Sequence, residues 1–238
     1  MRVLMLSKAC IVGAYQKKLE ELASFPDLEL TVVVPPYWRD ERGVTHLERQ
    51  HTAGYDLVVT PMAFNGNFHL HFYPGLGKLF RSVQPDLVHI DEEPYNLATA
   101  HALGLARRTG AKSLFFSWQN ILRRYPLPFR LLERYVLNHS DYAIAGHQES
   151  ADVWRAKGYQ GPTAVIPQFG VDPNVFEPEG AREAGRGFIV GYVGRLVEEK
   201  GVDLLLEALA GLEGMWRAYI QGSGPAQESL QAQARDLG

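Results

Sequence analysis

A glycine and two cations stand close together at Gly194, Arg195 and Lys200, in the run GYVGRLVEEKGVDLLLEAL over residues 191–209. An apolar strand reads into this loop and an apolar helix reads out of it. A glycine there lets the backbone come close to a ligand. A guanidinium, an ammonium and backbone N–H groups at a helix start make a cradle for a diphosphate. Read from residue chemistry alone, a tight turn carrying two solvated charges fits as well. A second concentration of chemistry is His89-Ile90-Asp91-Glu92-Glu93-Pro94, at the carboxyl end of a short apolar run. Asp91, Glu92 and Glu93 either bind hydroxyls or take part in catalysis, or else cap a helix expected from Tyr95, whose start favours negative charge. Gln119 and Asn120 follow another such run; each hydrogen-bonds a hydroxyl, and neither titrates as a base. His69 and His71 alternate along FHLHF and read as edge-strand residues. The histidines are otherwise scattered, and no metal site is expected.

Hydrophobic periodicity says what must position these groups. Strands are predicted over residues 2–7, 28–34, 56–60, 68–72, 87–90, 113–116, 142–145 and 165–166, and helices over 15–24, 76–82, 95–108, 129–139 and 149–157. Short aliphatic runs alternating with segments of helical period are the pattern of an α/β, doubly wound, Rossmann-like parallel sheet with helices on both faces. Such sheets bind ligands beyond the carboxyl ends of their strands, where Asp91, Glu92, Gln119 and Asn120 stand. Residues 167–186 carry Pro167, Pro173, Pro178, Gly180 and Gly185 and little hydrophobic period, as a linker does. Alternation then restarts, with strands at 188–193 and 216–221 and helices at 202–212 and 227–237. The expected organisation is one domain over 1–180, linker included, and the start of a second Rossmann-like domain over 181–238. Two strands and two helices make too small a core for a whole domain, so this second part reads as truncated.

The run 191–209 resembles the signature of the family-four retaining glycosyltransferases of the GT-B fold, the glycosyl transferases group 1. Two further segments carry the resemblance: GVDPNVF at 170–176, similar to the family's interdomain GVDxxxF element, and QGSGP at 221–225, similar to its glycine-containing turn after the second C-domain strand. The resemblance implies that Arg195 and Lys200 bind the diphosphate of a nucleotide-sugar donor, with Gly194 giving backbone access. It also implies a first domain that offers the surface for a glycan, lipid or small-molecule acceptor, transfer with retention, and no metal or cofactor. The chain departs from the family at several places. Pro167-Gln168-Phe169-Gly170-Val171-Asp172 is one residue longer than the usual proline-asparagine-glycine-valine-aspartate. Where paired glycines admit substrate phosphates after the first strand, this chain has Gly13 beside Ala14. The strand end FSWQN at 116–120 lacks the histidine many members place near the reacting sugar. Glu199 and Glu207, and Glu21 and Glu29, match the spacing of the family's two donor-binding glutamates only by coincidence, and the genuine pair is expected beyond Gly238. The 238-residue chain is therefore expected to be weakly active or inactive alone. A non-catalytic binding module built on the same scaffold is the alternative of a different class, and a nucleotide-sugar epimerase fits the loop signature less well.

Composition bounds the partners. The chain has 238 residues, 46% hydrophobic and 21% charged, with net charge −3. That suits a globular protein with a buried core and supplies no basic field for nucleic acid. Cys10 is the sole cysteine, so no internal disulfide forms and a reducing cytoplasm is the expected compartment. No apolar run approaches the roughly 20 residues that span a bilayer. Lys8 interrupts the apolar stretch a secretion signal needs, so the start reads as a buried strand. Residues 120–136, NILRRYPLPFRLLERYV, interleave Arg123, Arg124, Arg130 and Arg134 with Tyr125, Phe129, Leu131, Leu132 and Tyr135. They form either a peripheral contact with the inner, anionic face of a membrane or a surface helix whose arginine stems cover apolar neighbours.

Overall fold

The computed structural model describes residues 1–40, 43–177 and 187–238. The chain forms two compact units, Met1–Asp172 and Pro173–Gly238. The expected boundary at 180–181, with Pro178, Gly180 and Gly185, lies outside the described residues.

The strands of the first unit are β1 (Arg2–Leu6), β2 (Glu29–Val34), β3 (Tyr37–Asp40), β4 (Gly43–His46), β5 (Asp56–Val59), β6 (Leu87–Ile90), β7 (Lys112–Ser117), β8 (Tyr142–Ala145) and β9 (Thr163–Val165). Its helices are α1 (Lys17–Ala23), α2 (Leu76–Val83), α3 (Leu97–Thr109), α4 (Phe129–His139) and α5 (Gln148–Ala156). Seven strands make one parallel sheet in the order β5-β2-β1-β6-β7-β8-β9. The central strands are apolar throughout because both faces are covered. In β1, Val3 and Met5 pack with Cys10, Leu19, Val32 and Trp38, while Leu4 and Leu6 join Phe80, Val88, Ile90, Leu103 and Phe115 on the other side. Side chains alternate across a strand, so burial on both sides demands apolar residues at every position.

Two expectations need correction. Residues 68–72 do not form an edge strand. The Asn67 side-chain oxygen accepts the N–H groups of His69 and Leu70 at 3.1 and 3.0 Å, which turns the chain there. Only a single bridge, Ala63 to Phe72, remains of the expected pairing. His71 is consequently fully buried, with Trp38 edge-on at 5.3 Å between ring centres. The second correction is an addition: β3 and β4 form a separate antiparallel hairpin, too short and too polar to stand out from the sequence.

In the second unit, β10 (Phe188–Val193), α6 (Val202–Ala210), β11 (Trp216–Gln221) and α7 (Gln227–Leu237) follow one another, and the two strands pair in parallel. This βαβα order is that of an opening Rossmann-like domain. Leu196, Val202 and Leu209 are buried, whereas Phe188, Ile189, Val193 and Tyr219 stay exposed. Parallel strands normally carry helices on both faces; β10 has the apolar sequence of such a covered strand, while β11 mixes Trp216, Ala218, Tyr219 and Ile220 with Arg217 and Gln221.

Candidate functional site

Strand order reverses between β1 and β6. From β1 the chain passes to β2 on one side, and from β6 to β7 on the other. The loops leaving the two strands diverge and open a crevice at their carboxyl ends. Ser7 and Lys8 follow β1 there, and Asp91, Glu92 and Glu93 follow β6.

Each carboxylate meets a different partner. Ser7 Oγ donates to Asp91 Oδ2 at 2.6 Å, and Lys18 Nζ lies 3.2 Å from the same oxygen. Gln168 Nε2 donates to Asp91 Oδ1 at 2.8 Å. Glu92 accepts from the Lys8 backbone N–H at 3.2 Å and from Lys8 Nζ at 2.5 Å, with His71 Nε2 at 3.4 Å. Burial by itself would raise the Glu92 carboxyl, but Lys8 and His71 outweigh it and hold the group at about 2. Glu93 receives Ser117 Oγ at 2.5 Å and the Trp118 N–H at 2.8 Å. These bonds do not offset desolvation, and burial pushes the Glu93 carboxyl up to about 7. Two neighbours in sequence are thus driven in opposite directions.

The capping alternative fails. Asn96 precedes α3 in extended backbone without a side-chain cap bond, and no carboxylate caps the helix. Asp91 and Glu92 instead face the β1 side of the crevice, with their oxygens already engaged by the chain's own donors. The raised Glu93 has a consequence for stability. Its ordinary value is 4.5 and its folded value about 7, so its contribution is complete below pH 4.5 and is lost as the pH rises through 7. Glu93→Gln keeps an oxygen for the Trp118 N–H and removes the titration. We expect the variant to be more stable than the parent by about 2 kcal/mol above neutral pH, with the two converging in acid. Urea melts across that range check it.

Gln119 and Asn120 lie at the end of β7. Gln119 is buried, its N–H donates to Ser117 Oγ at 3.0 Å, and its Nε2 lies 3.4 Å from Tyr125 Oη. Asn120 is exposed. Between them and β7, Trp118 donates its indole N–H to Gln168 Oε1 at 2.7 Å. Its ring covers Gly146, where an added Cβ would stand 2.3 Å from the indole. Phe169, next to Gln168, stacks on Tyr15 at 3.9 Å with Lys18 Nζ over its ring. Gln168 and Phe169 fall at the one-residue lengthening seen in the sequence, and both side chains are bound to this crevice. At Gly13 the N–H donates to Glu48 Oε2 at 2.6 Å, so this amide is engaged within the chain.

In the second unit, Arg195 and Lys200 are both exposed. Lys200 ends a single 3-10 turn, Glu198–Lys200, which Gly201 closes at φ 60° before α6 begins. The loop is held by the QGSGP turn. Gly194 N–H donates to the Gln221 carbonyl at 3.0 Å and Leu196 N–H to the Ser223 carbonyl at 2.9 Å. A Cβ on Gly222 would fall 1.8 Å from the Gly194 carbonyl oxygen, and one on Gly224 2.1 Å from that of Leu196. Gly222 and Gly224 are therefore required because their backbone touches that of Gly194 and Leu196, while a Cβ on Gly194 itself would meet the Tyr192 hydroxyl at 2.8 Å. The Gly194 amide is spent on its bond to the Gln221 carbonyl, so what Gly194 offers a ligand is close approach of the backbone and not its own N–H.

Among the described residues, no three His, Cys, Asp or Glu side chains gather as a metal-holding group, and no helix is long and apolar enough to cross a membrane. Lys8, Lys18, Gln168 and Phe169 hold the crevice as much as the expected residues do. No spacing rule marks them; the visible signals are the interruption of an apolar start by Lys8 and the one-residue lengthening at Gln168 and Phe169.

The family model described as Glycosyltransferase Family 4 matches residues 20–175, and that described as Glycosyl transferases group 1 matches residues 176–238. No curated protein matches the chain in sequence. Among solved structures, a lipopolysaccharide outer core galactosyltransferase in its apo form aligns at TM-score 0.60 and 17% identity, over 100% of this chain and 65% of that one. A UDP-N-acetylglucosamine 2-epimerase aligns at 0.60 and 13%, over 100% and 67%. An Arabidopsis thaliana protein complexed with UDP aligns at 0.54 and 14%, over 93% and 65%. The chain spans about 65% of the first and last of these. At such identities the likeness is one of fold, which transferases and epimerases share.

Proposed function

The chain belongs to glycosyltransferase family 4, and from that membership we propose that it serves transfer of a sugar from a nucleotide-diphosphate-sugar donor to an acceptor, with retained configuration. The observation that carries this reading is the 194–200 loop. It presents an exposed guanidinium and an exposed ammonium beside the start of α6, on a backbone fixed by the touching glycine turns. Two cations so placed neutralise charge that develops on a departing diphosphate. Gln119 and Asn120 are the candidates for meeting acceptor hydroxyls, and Asp91 and Glu92, whose oxygens the chain's own donors occupy, hold the crevice in shape. No metal or cofactor has a part in the reading. The 238 residues alone bind donor without turning it over at an enzyme's usual rate, because they span part of a neighbour's length. Thermal melts with UDP, ADP and GDP against the matching monophosphates test it; UDP comes first because one fold neighbour was solved with it. At 100-fold saturation a ligand adds about 2.7 kcal/mol, so one diphosphate should raise Tm well above its monophosphate. Indifference to all three diphosphates sinks the proposal, and rapid turnover of the matching sugar nucleotide refutes the weak activity.

A second proposal concerns where the chain works. Ile121, Leu122, Leu127 and Leu131 are 57–64% exposed and alternate with Arg123, Arg124 and Arg130. Residues 120–128 are not helical, since α4 starts only at Phe129, so arginine stems laid along a helix do not account for that part. Apolar side chains rimmed by arginines fit the inner face of an anionic membrane. Co-sedimentation with anionic vesicles should fall steeply with salt, and failure to sediment at low salt removes the claim.

A further inference from the structure

We propose that Trp118 is a stacking platform for a pyranose ring, which makes the acceptor a saccharide or the saccharide part of a glycoconjugate; this rests on the transferase reading and names the acceptor class for the same crevice. The indole is 42% exposed, although an aromatic ring of that size gains most when buried. It is nevertheless held in one place from three directions. Glu93 Oε1 takes its backbone N–H at 2.8 Å, Gln168 Oε1 takes its indole N–H at 2.7 Å, and the ring lies on Gly146, where no Cβ fits.

Because the indole N–H is used internally, what Trp118 offers outward is an apolar surface without a donor. The C–H face of a pyranose matches such a surface. A membrane anchor makes the opposite choice, turning its N–H outward to the headgroups. A ring already fixed also loses little side-chain entropy when a ligand arrives. Hydroxyls at the rim of a sugar need polar neighbours, and these are at hand. Gln119, the next residue, is 8% exposed, and its Oε1 has no hydrogen-bond partner among the described residues. Asp91 and Lys18 are tied to Trp118 through Gln168.

The test uses the full chain with the methyl α-pyranosides of glucose, galactose and mannose as probes. Tryptophan fluorescence and acrylamide quenching are read against Trp118→Phe, which isolates this indole from Trp38, Trp154 and Trp216. At least one pyranoside should saturate and shield Trp118, with binding, read by calorimetric titration in the variants, about tenfold weaker in Trp118→Ala and nearer the parent in Trp118→Phe. Melting of the variants at the parent's temperature shows that folding is intact, and Gly146→Ala, which displaces the ring without removing it, should weaken binding as well. Absence of a saturable Trp118-dependent response to all three sugars overturns the platform. So does equal binding by Trp118→Ala, or shielding by anionic vesicles with none by sugars. UDP added to the same samples separates the two readings. Sugar binding without any diphosphate binding defeats the transferase reading and leaves the platform; diphosphate binding without sugar binding defeats the platform alone.

Discussion

Lys8→Met is expected to destabilise the first unit by ~3–5 kcal/mol, the loss seen when one partner of a buried ion pair is removed. In a protein of this size that lowers Tm by roughly 10 °C. The Glu92 side chain is fully buried and that of Lys8 nearly so, at 0% and 17% exposure. Methionine fills the space of the lysine stem but leaves the carboxylate with one backbone N–H and the His71 ring. The acid response should invert as well. In the parent, the folded value of about 2 lies below the ordinary 4.5, so this stabilisation is complete above pH 4.5 and is lost as the pH falls through 2. Without Lys8 burial dominates, the carboxyl moves up, and stability is lost as the pH rises instead. Pairing Lys8→Met with Glu92→Gln should recover most of the loss, because a neutral amide tolerates the site better than an unpaired charge. Urea melts of the parent, the single and the double variant across the acid-to-neutral range decide this. An unchanged slope in Lys8→Met contradicts the assignment of Glu92 as a charge held by Lys8.

The regular part of the fold was legible because local signals agreed there. Strands at 142–145, 188–193 and 216–221 and helices at 129–139 and 227–237 have the expected bounds, each an apolar run or period with clear punctuation. Residues 68–72 misled because strict alternation is also compatible with a turn, and the deciding contact is an Asn67 side chain bonding to the N–H groups of His69 and Leu70. The position of Asp91 and Glu92 at a strand end followed from the parallel-sheet rule. Their partners did not. Lys8 and Glu92 are 84 residues apart and meet only because β1 and β6 are neighbours at the reversal of strand order. The opposite behaviour of Glu92 and Glu93 depends on which carboxylate faces an ammonium, and the sequence gives both the same surroundings. Gln168 and Phe169 showed only as a lengthened motif, and the structure supplies the reason: both grip the crevice. For Arg195 and Lys200, residue chemistry left a solvated turn as good a reading as a cradle, and only resemblance to a family favours the cradle.

The other large effect falls on that loop. Replacing Arg195 and Lys200 together by alanine should weaken nucleoside diphosphate binding about 100-fold. Each cation is worth ~1.5–3 kcal/mol when it makes a charge-assisted bond to phosphate, and two exposed contacts partly screened by salt lie toward the lower end. Folding should be spared, because both side chains are exposed and the glycine contacts that shape the loop stay in place. Calorimetric titration of UDP into the parent chain and into this double variant tests the proposed donor site most directly. Saturable binding by the parent, with a loss of about 100-fold in the variant, is the result expected. Equal affinity in the two proteins contradicts the account, for it places the diphosphate somewhere other than the loop of Arg195 and Lys200.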